Sequence, residues 1–440
     1  MTMIDRHIAA TRQVLDHLRH RLDLPLSVRL WDGSIVPLGR DAPPDRCVVI
    51  AGPGVIGALL RRPGLDMLFR QWTLGGIDLE GLDLIEAMDL VRSRRKAASF
   101  AALRPGFPWR AALPLLLARD RPAALAQAVA GGEAEAQRRQ RGDRALIQFH
   151  YDASNAFYAL FLDPEMVYSC AYFTDWDGSL EQAQLDKLEL VCRKLRLRPG
   201  ERFLDIGCGW GALICHAARY HGVLAHGVTL SQAQHDFAVA KIAGLGLQER
   251  VSVELRDYRS LTGTWDKIAS IGMYEHVGIA NYDAYFRKIH GLLAEGGIFL
   301  NHGITRRAKR DERRFRRASE SRRVILKYIF PGSELDHIGH TVAVMETAGF
   351  EVHDVEGLRR HYARTCSIWH DRLVARRAEA IAHVGPERYR MWIAYLAGVA
   401  GAFAEGPLRI FQTVATRQSD KAAAAMPATR ADLYAERVYD

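Results

Sequence analysis

Long uninterrupted apolar runs are missing from this 440-residue chain, and no stretch reaches the roughly 20 apolar residues that a membrane-spanning helix requires. The first residues, MTMIDRHIAATRQVLDHLRHRLDL, carry charge every few positions and read as neither a signal peptide nor a membrane anchor. Cysteine is sparse. Cys47, Cys170, Cys192, Cys208, Cys215 and Cys366 are scattered with no C-x-x-C pair, so neither a disulfide framework nor a cysteine zinc site is indicated and a reducing, cytoplasmic compartment is expected. Acidic charge is in deficit, with 51 Asp plus Glu against 60 Lys plus Arg and a formal net charge of +9. That excess favours an anionic partner: a nucleic acid, a membrane surface or an acidic small molecule. Charge alone does not choose among them.

What is present is ordinary for a globular protein: 48% hydrophobic and 25% charged residues, with length for roughly two to four domains. Residues 1–20 read as a helix, and VRLWDGSIVPLG alternates about a D-G turn as a β-hairpin does. Strand signals at Cys47–Ile50 and Ile77–Leu79 and helical signals at Val55–Leu60 and Gly81–Val91 complete a small α+β unit. The polar segment GGEAEAQRRQRGDRA, near 130–145, reads as a linker. A helix is predicted over 177–197, capped by Asp177 or Ser179 and stopped at Pro199-Gly200. Strands are then predicted at 202–206, 224–228, 251–255, 267–271 and 298–301, with helices at 212–219, 231–243 and 281–293 between them. This alternation predicts a parallel sheet with helices on both faces. Two later strands, 351–355 and 408–414, bracket a helical stretch rich in Trp and Tyr, and the last twenty residues read as a tail.

The strongest local signal is LDIGCGWGA, Leu204–Ala212. A strand ends at Asp205-Ile206, Gly207, Cys208, Gly209 and Gly211 form a turn that lets backbone approach a ligand, and a helix follows. A dinucleotide fold would place an acid at the end of the next strand, where Thr229 stands. Asp205 instead sits two residues before the first glycine, which suits a cofactor with an ammonium group and no pyrophosphate, as in S-adenosylmethionine. Thr229, Leu230, Ser231 and Gln234 follow the second strand, where hydroxyl and amide groups suit a ribose; Asp257 and Tyr258 follow the third, where an acceptor and an aromatic face suit adenine.

Four segments in order, HYDASNAFYALFLDPEMVYSCAYF (150–173), LDIGCGWGA, GMYEHVG (272–278) and KYIFPG (327–332), resemble the cyclopropane-fatty-acyl-phospholipid synthase family over about residues 145–415. Residues 1 to about 125 resemble, more weakly, the small lipid-carrier-like domain that precedes the catalytic domain in the phospholipid-acting members. The resemblance implies an α/β, doubly wound Rossmann-like class I methyltransferase domain over 146–418, after a carrier-like domain (1–128) and a linker (129–145), with a flexible tail at 419–440. It also implies S-adenosylmethionine as cofactor and a bound bicarbonate ion as base. The matching positions for the bicarbonate are the backbone at Cys170, Glu275, His302, the backbone at Ile304, and Tyr362; Tyr168 and Ser169 join the cofactor set.

An isolated alkene is a weak nucleophile, so methyl transfer from a sulfonium leaves a carbocation that needs a dry pocket, aromatic faces and a base. Of the candidate faces, Tyr168 and Tyr274 are expected in the pocket; His276 is expected to be structural, and no feature marks the Cys170 thiol as activated. Many relatives carry a late cysteine in a segment resembling N-A-C-A-G-A-F. AYLAGVAGAF has Val399 there, which rules out a thiol mechanism at that site.

The run Arg306–Arg323 holds ten basic and three acidic residues, and reads either as a solvated face or as a dock for anionic head groups. The expected enzyme adds a methylene to the cis double bond of an unsaturated phospholipid acyl chain. The alternative product is a methyl-branched unsaturated chain. Expected partners are an anionic phospholipid membrane surface at its inner, cytoplasmic face and a second copy in a homodimer. A nucleic-acid methyltransferase would leave the acyl-site motifs unexplained, and a carrier with a dead catalytic domain is opposed by the intact glycine loop and Glu275.

Overall fold

The computed structural model describes residues 2–94, 105–118, 154–329, 333–417 and 426–434. The chain forms two compact units: Met1–Arg138 with Ala318–Ile329 and Ala380–Gly401, and Arg139–Arg317 with Phe330–Glu379 and Ala402–Asp440. The expected linker, residues 129–145, lies outside the described residues, as do 150–153 and 330–332 of the motifs and most of the expected tail.

The first unit holds a four-stranded sheet in the order β2-β1-β3-β4, formed by β1 (Ser27–Arg29), β2 (Ile35–Pro37), β3 (Cys47–Ile50) and β4 (Ile77–Glu80). β1 and β2 are the antiparallel hairpin the D-G turn predicts, with Gly33 at φ 84, a value that favours glycine. The Met3–Leu22 helix opens on a Thr2/Asp5 capping box and buries Ala10, Val14 and Leu15, an i, i+4, i+5 face. Two helices, Leu65–Thr73 and Trp109–Leu117, are absent from the sequence reading. The second carries Pro114 inside it, a residue that normally argues against a helix. Segments distant in sequence complete this unit. The Leu65 amide donates to Glu320 Oε1 at 2.5 Å, the Tyr328 hydroxyl donates to Asp66 at 3.0 Å, and Arg390 pairs with Asp78 at 3.2 Å.

The second unit is built on a seven-stranded sheet in the order β10-β11-β9-β8-β5-β6-β7. Its strands are β5 (Arg202–Ile206), β6 (Leu224–Thr229), β7 (Val251–Leu255), β8 (Trp265–Ile271), β9 (Leu293–Arg306), β10 (Phe350–Gly357) and β11 (Leu408–Arg417). Only β11 runs antiparallel to its neighbours. Four of the five β5 residues are buried, as expected for a central parallel strand covered on both faces. From β5 the chain winds outward through β6 and β7, then returns to the other side through β8 and β9. The strand order therefore reverses at β5, and ligands of such sheets bind beyond the strand carboxyl ends at that reversal. The helix over Leu180–Leu195 is capped by Ser179, whose hydroxyl accepts the Gln182 amide at 3.2 Å, and it ends at Arg196 in a left-handed conformation. β9 is much longer than the predicted 298–301 because it pairs along nine residues with β11.

Candidate active site

The glycine loop closes against β6 through two amides, Gly207 and Cys208, which both donate to the Val228 carbonyl at 2.9 and 3.0 Å. Gly207 has φ 85 and Gly211 φ 84, so side chains at either would be strained; at Gly211 a Cβ would also lie 3.1 Å from Ala238 Cβ. The loop borders a cavity of about 260 Å³ at the carboxyl end of the sheet. Tyr168, Ser169, Asp205, Gly207, Cys208, Gly209, Thr229, Leu230, Gln234, Asp257 and Tyr258 line it, which brings together eleven of the thirteen residues expected around the cofactor. The other two stand behind the wall. Gly211 starts the Ala212–His221 helix, and Ser231 caps the next helix by accepting the Gln234 amide.

The lining chemistry fits a cationic nucleoside. Asp205 is buried, its Oδ1 finds no hydrogen-bond partner among the described residues, and burial pushes its carboxyl up to about 7 despite the neighbouring Lys187. An acceptor held without a donor suits an incoming ammonium group. Thr229 Oγ1 donates to Gln234 Oε1 at 2.8 Å, which leaves the Gln234 amide nitrogen to donate elsewhere. Asp257 is raised by partial burial but held lower overall by Arg259, whose guanidinium donates to both carboxylate oxygens at 2.7–3.1 Å.

Lys187 is a lining residue the sequence reading missed. It shares the buried helix stripe of Ala183 and Val191, donates to Ser169 Oγ at 3.0 Å, and burial lowers its ammonium to about 8. A lysine among apolar residues four apart was the available signal. His276, expected to be structural, also lines the cavity, and burial lowers its imidazole to about 4. Tyr274 departs from expectation in the opposite direction. Its ring stacks on Tyr282 at 4.3 Å, its hydroxyl bonds Thr341 at 2.7 Å, and it packs under Gly303 as a core residue.

Glu275 and Ile304 meet directly: the Ile304 amide donates to Glu275 Oε1 at 2.6 Å. Glu275 Oε2 is buried without a partner among the described residues, and burial raises its carboxyl to about 7. His302, two residues before Ile304 on β9, is 1% exposed; its Nε2 has no partner among the described residues and burial keeps the ring neutral. Opposite it on β11 stands Gln412, paired in register, with its amide nitrogen 3.4 Å from His302 Nδ1. Gln412 is a second residue missed from sequence, since only strand register shows that it faces His302.

The Cys170 thiol is buried against the Ala171 and Leu358 carbonyls at 3.3 and 3.7 Å, and burial pushes it well up, so it is no nucleophile. Tyr362 lies in a belt of rings, 4.7 Å from Phe403 and 6.1 Å from Trp369, whose ring is 5.1 Å from that of Tyr168. The belt thus runs from Tyr362 to the cavity wall. A buried, partnerless carboxylate oxygen and imidazole nitrogen fit a small oxyanion that carries a hydroxyl: Glu275 would accept its proton and His302 would donate.

A family model described as mycolic acid cyclopropane synthetase matches residues 138–413. A probable fatty acid methyltransferase of Pseudomonas putida is 38% identical over 418 residues, covering 94% of this chain and 97% of the relative. The cyclopropane-fatty-acyl-phospholipid synthase of Escherichia coli (strain K12) is 38% identical over 268 residues, or 61% of this chain and 66% of that one. Among solved structures, mycolic acid cyclopropane synthase CmaA1 complexed with SAH and CTAB superposes with a TM-score of 0.59 at 36% identity, covering 62% of this chain and 98% of that one.

Proposed function

The chain belongs to the cyclopropane synthase family of S-adenosylmethionine-dependent methyltransferases, and on that footing we propose that it adds a methylene to the cis double bond of an unsaturated phospholipid acyl chain. The observation that carries the reading is the buried pair Glu275 and His302, each with a polar atom unpartnered among the described residues; Glu275 lies between Met273 and His276 of the Asp205 cavity wall, and the Gly272 amide of that wall donates to the His302 carbonyl at 2.9 Å. When bound, S-adenosylmethionine supplies the electrophilic methyl group and bicarbonate the proton acceptor. Asp205 accepts the cofactor's ammonium group, and the Tyr168, Ser169 and glycine-loop wall positions its sulfonium end. Glu275, His302, Tyr362 and the backbone at Cys170 and Ile304 hold the bicarbonate. The single Ile304 N–H, which donates to Glu275 Oε1 at 2.6 Å, acts in this role by aiming that carboxylate. With Gln412 donating to Nδ1, the His302 proton sits on Nε2 and faces the anion. The rings of Tyr168, Trp369 and Tyr362 face positive charge that develops on the chain and keep water away.

A cytoplasmic enzyme of this kind must draw lipid from a membrane without crossing it, and among the described residues no helix is long and apolar enough to span one. Eight of the ten basic residues in Arg306–Arg323 are exposed, which supports contact with an anionic inner leaflet. The first unit is read as the carrier-like lipid-handling domain, and a homodimer as the assembly. A second reading, a methyl-branched product, is favoured by the P. putida relative, whose name is that of a fatty acid methyltransferase and whose match spans both units. Incubation with labelled cofactor and unsaturated phospholipid vesicles, in buffer stripped of carbonate and then resupplied, tests the proposal. Label should enter lipid and turnover should rise with bicarbonate; label entering RNA but not lipid would sink it.

A further inference from the structure

A cluster of soft ligands lies apart from the cavity, where the Leu180–Leu195 and Ala212–His221 helices pack together. One potential ligand atom from each of Cys192, His216 and His221 falls within 4.8 Å of the others. Cys192 is 0% and His216 6% exposed, so this is an interior cluster and not a chance surface grouping. Glu189, one turn before Cys192 on the same helix, joins them. Its Oε2 lies 2.9 Å from His221 Nε2 and 3.5 Å from His216 Nε2, while Oε1 accepts from Arg193 Nε at 2.6 Å. The Ala212–His221 helix starts at the glycine loop and runs back toward the beginning of β6, which places His221 at the amino end of the strands, the opposite end of the sheet from the cavity.

We propose that Cys192, His216 and His221 form a zinc-binding site that clips these two helices together, with Glu189 orienting the imidazoles. A thiolate with two imidazoles is a ligand set that zinc favours over the harder divalent ions. A carboxylate hydrogen-bonded to a ligating histidine is the usual outer partner of such a site. On binding, the Cys192 proton leaves to solvent and a sulfur–metal bond forms, while each imidazole gives the lone pair of the ring nitrogen that does not bond Glu189; no redox change is involved. Zinc bonds of about 2.0–2.3 Å would draw the ligand atoms together by roughly 1 Å, within reach of side-chain rotation at a helix end. The absence of a cysteine pair in the sequence hides this site, because its ligands come from two helices 24 residues apart between Cys192 and His216.

The test uses the full chain, stripped with a chelator and titrated with cobalt(II) as a spectroscopic probe, then with zinc. The wild type should bind one cobalt per chain with a near-ultraviolet thiolate charge-transfer band that zinc abolishes, and zinc should raise its melting temperature by several degrees. Cys192→Ser should lose the band and the zinc-dependent shift, and Glu189→Gln should bind about ten- to a hundredfold more weakly. Cofactor affinity in both variants should match wild type, which shows that they fold. If wild type shows no charge-transfer band, or Cys192→Ser retains it, the cluster is only a hydrogen-bonded one and the proposal is overturned.

Discussion

The Ile304 amide holds one oxygen of Glu275 at 2.6 Å while the other carboxylate oxygen stays buried with no partner among the described residues. The carboxylate is thereby aimed by backbone and left with one acceptor to use. Glu275→Gln keeps the size and the amide contact but loses the proton-accepting charge. The variant should bind cofactor with near wild-type affinity in calorimetry, and turnover should fall by about 10²–10⁴-fold. Near-normal turnover would remove Glu275 from the reaction.

Asp205 and Glu275 both make the fold less stable when ionised. Each carboxyl is raised to about 7 by burial, so the folded state holds more protons than the unfolded state above about pH 4, and stability falls as pH rises until both are ionised above about 7. Asp205→Asn and Glu275→Gln should therefore each raise the melting temperature at pH 8 more than at pH 5, by up to about 3 kcal/mol in unfolding free energy. Equal shifts at both pH values would contradict the burial argument.

Cofactor affinity should depend on pH through Asp205. Only the ionised carboxylate pairs with an ammonium group, so affinity should weaken toward low pH, by about tenfold per unit below pH 7. Asp205→Asn should bind weakly at all pH values. A flat wild-type profile between pH 5.5 and 8 in isothermal titration would separate Asp205 from the cofactor.

How much of this could be read in the sequence depends on what fixes each feature. The sheet strands β5 to β9 follow from local apolar runs and turn residues, and the glycine loop announces itself by spacing, so the fold and most residues lining the cavity were legible. Lys187 and Gln412 were not, because what matters for each is which way its side chain faces, and strand register and helix packing decide that. Tyr274 shows the converse: its motif suggested the pocket, yet tight packing under Gly303 places it in the core. The first unit gathers Ala318–Ile329 and Ala380–Gly401 through contacts such as Arg390 with Asp78, which no local pattern encodes.

Gln412→Leu tests the His302 tautomer. Losing the donor to Nδ1 frees the ring proton to move from Nε2, so turnover should drop roughly tenfold with the Michaelis constant for cofactor unchanged. Gln412→Glu, whose carboxylate accepts from Nδ1–H, should reverse the tautomer and be at least as impaired. Wild-type turnover in both would leave Gln412 a packing residue.

The exposed basic run gives a salt-dependent prediction. Replacing Arg313, Arg314, Arg316 and Arg317 by Gln should weaken binding to anionic vesicles at low salt, with the difference shrinking as salt is raised. Chemistry on detergent-dispersed lipid should be unaffected. Unchanged vesicle binding would assign the run to solvent alone.

The product decides the central claim. Mass spectrometry of acyl chains after reaction with cofactor and monounsaturated phospholipid, followed by ozonolysis, distinguishes a ring from an alkene. Methylene addition gives a gain of one CH₂ unit in a chain that ozone no longer cleaves; the same gain in a chain that ozone still cleaves, or no gain at all, would contradict ring formation.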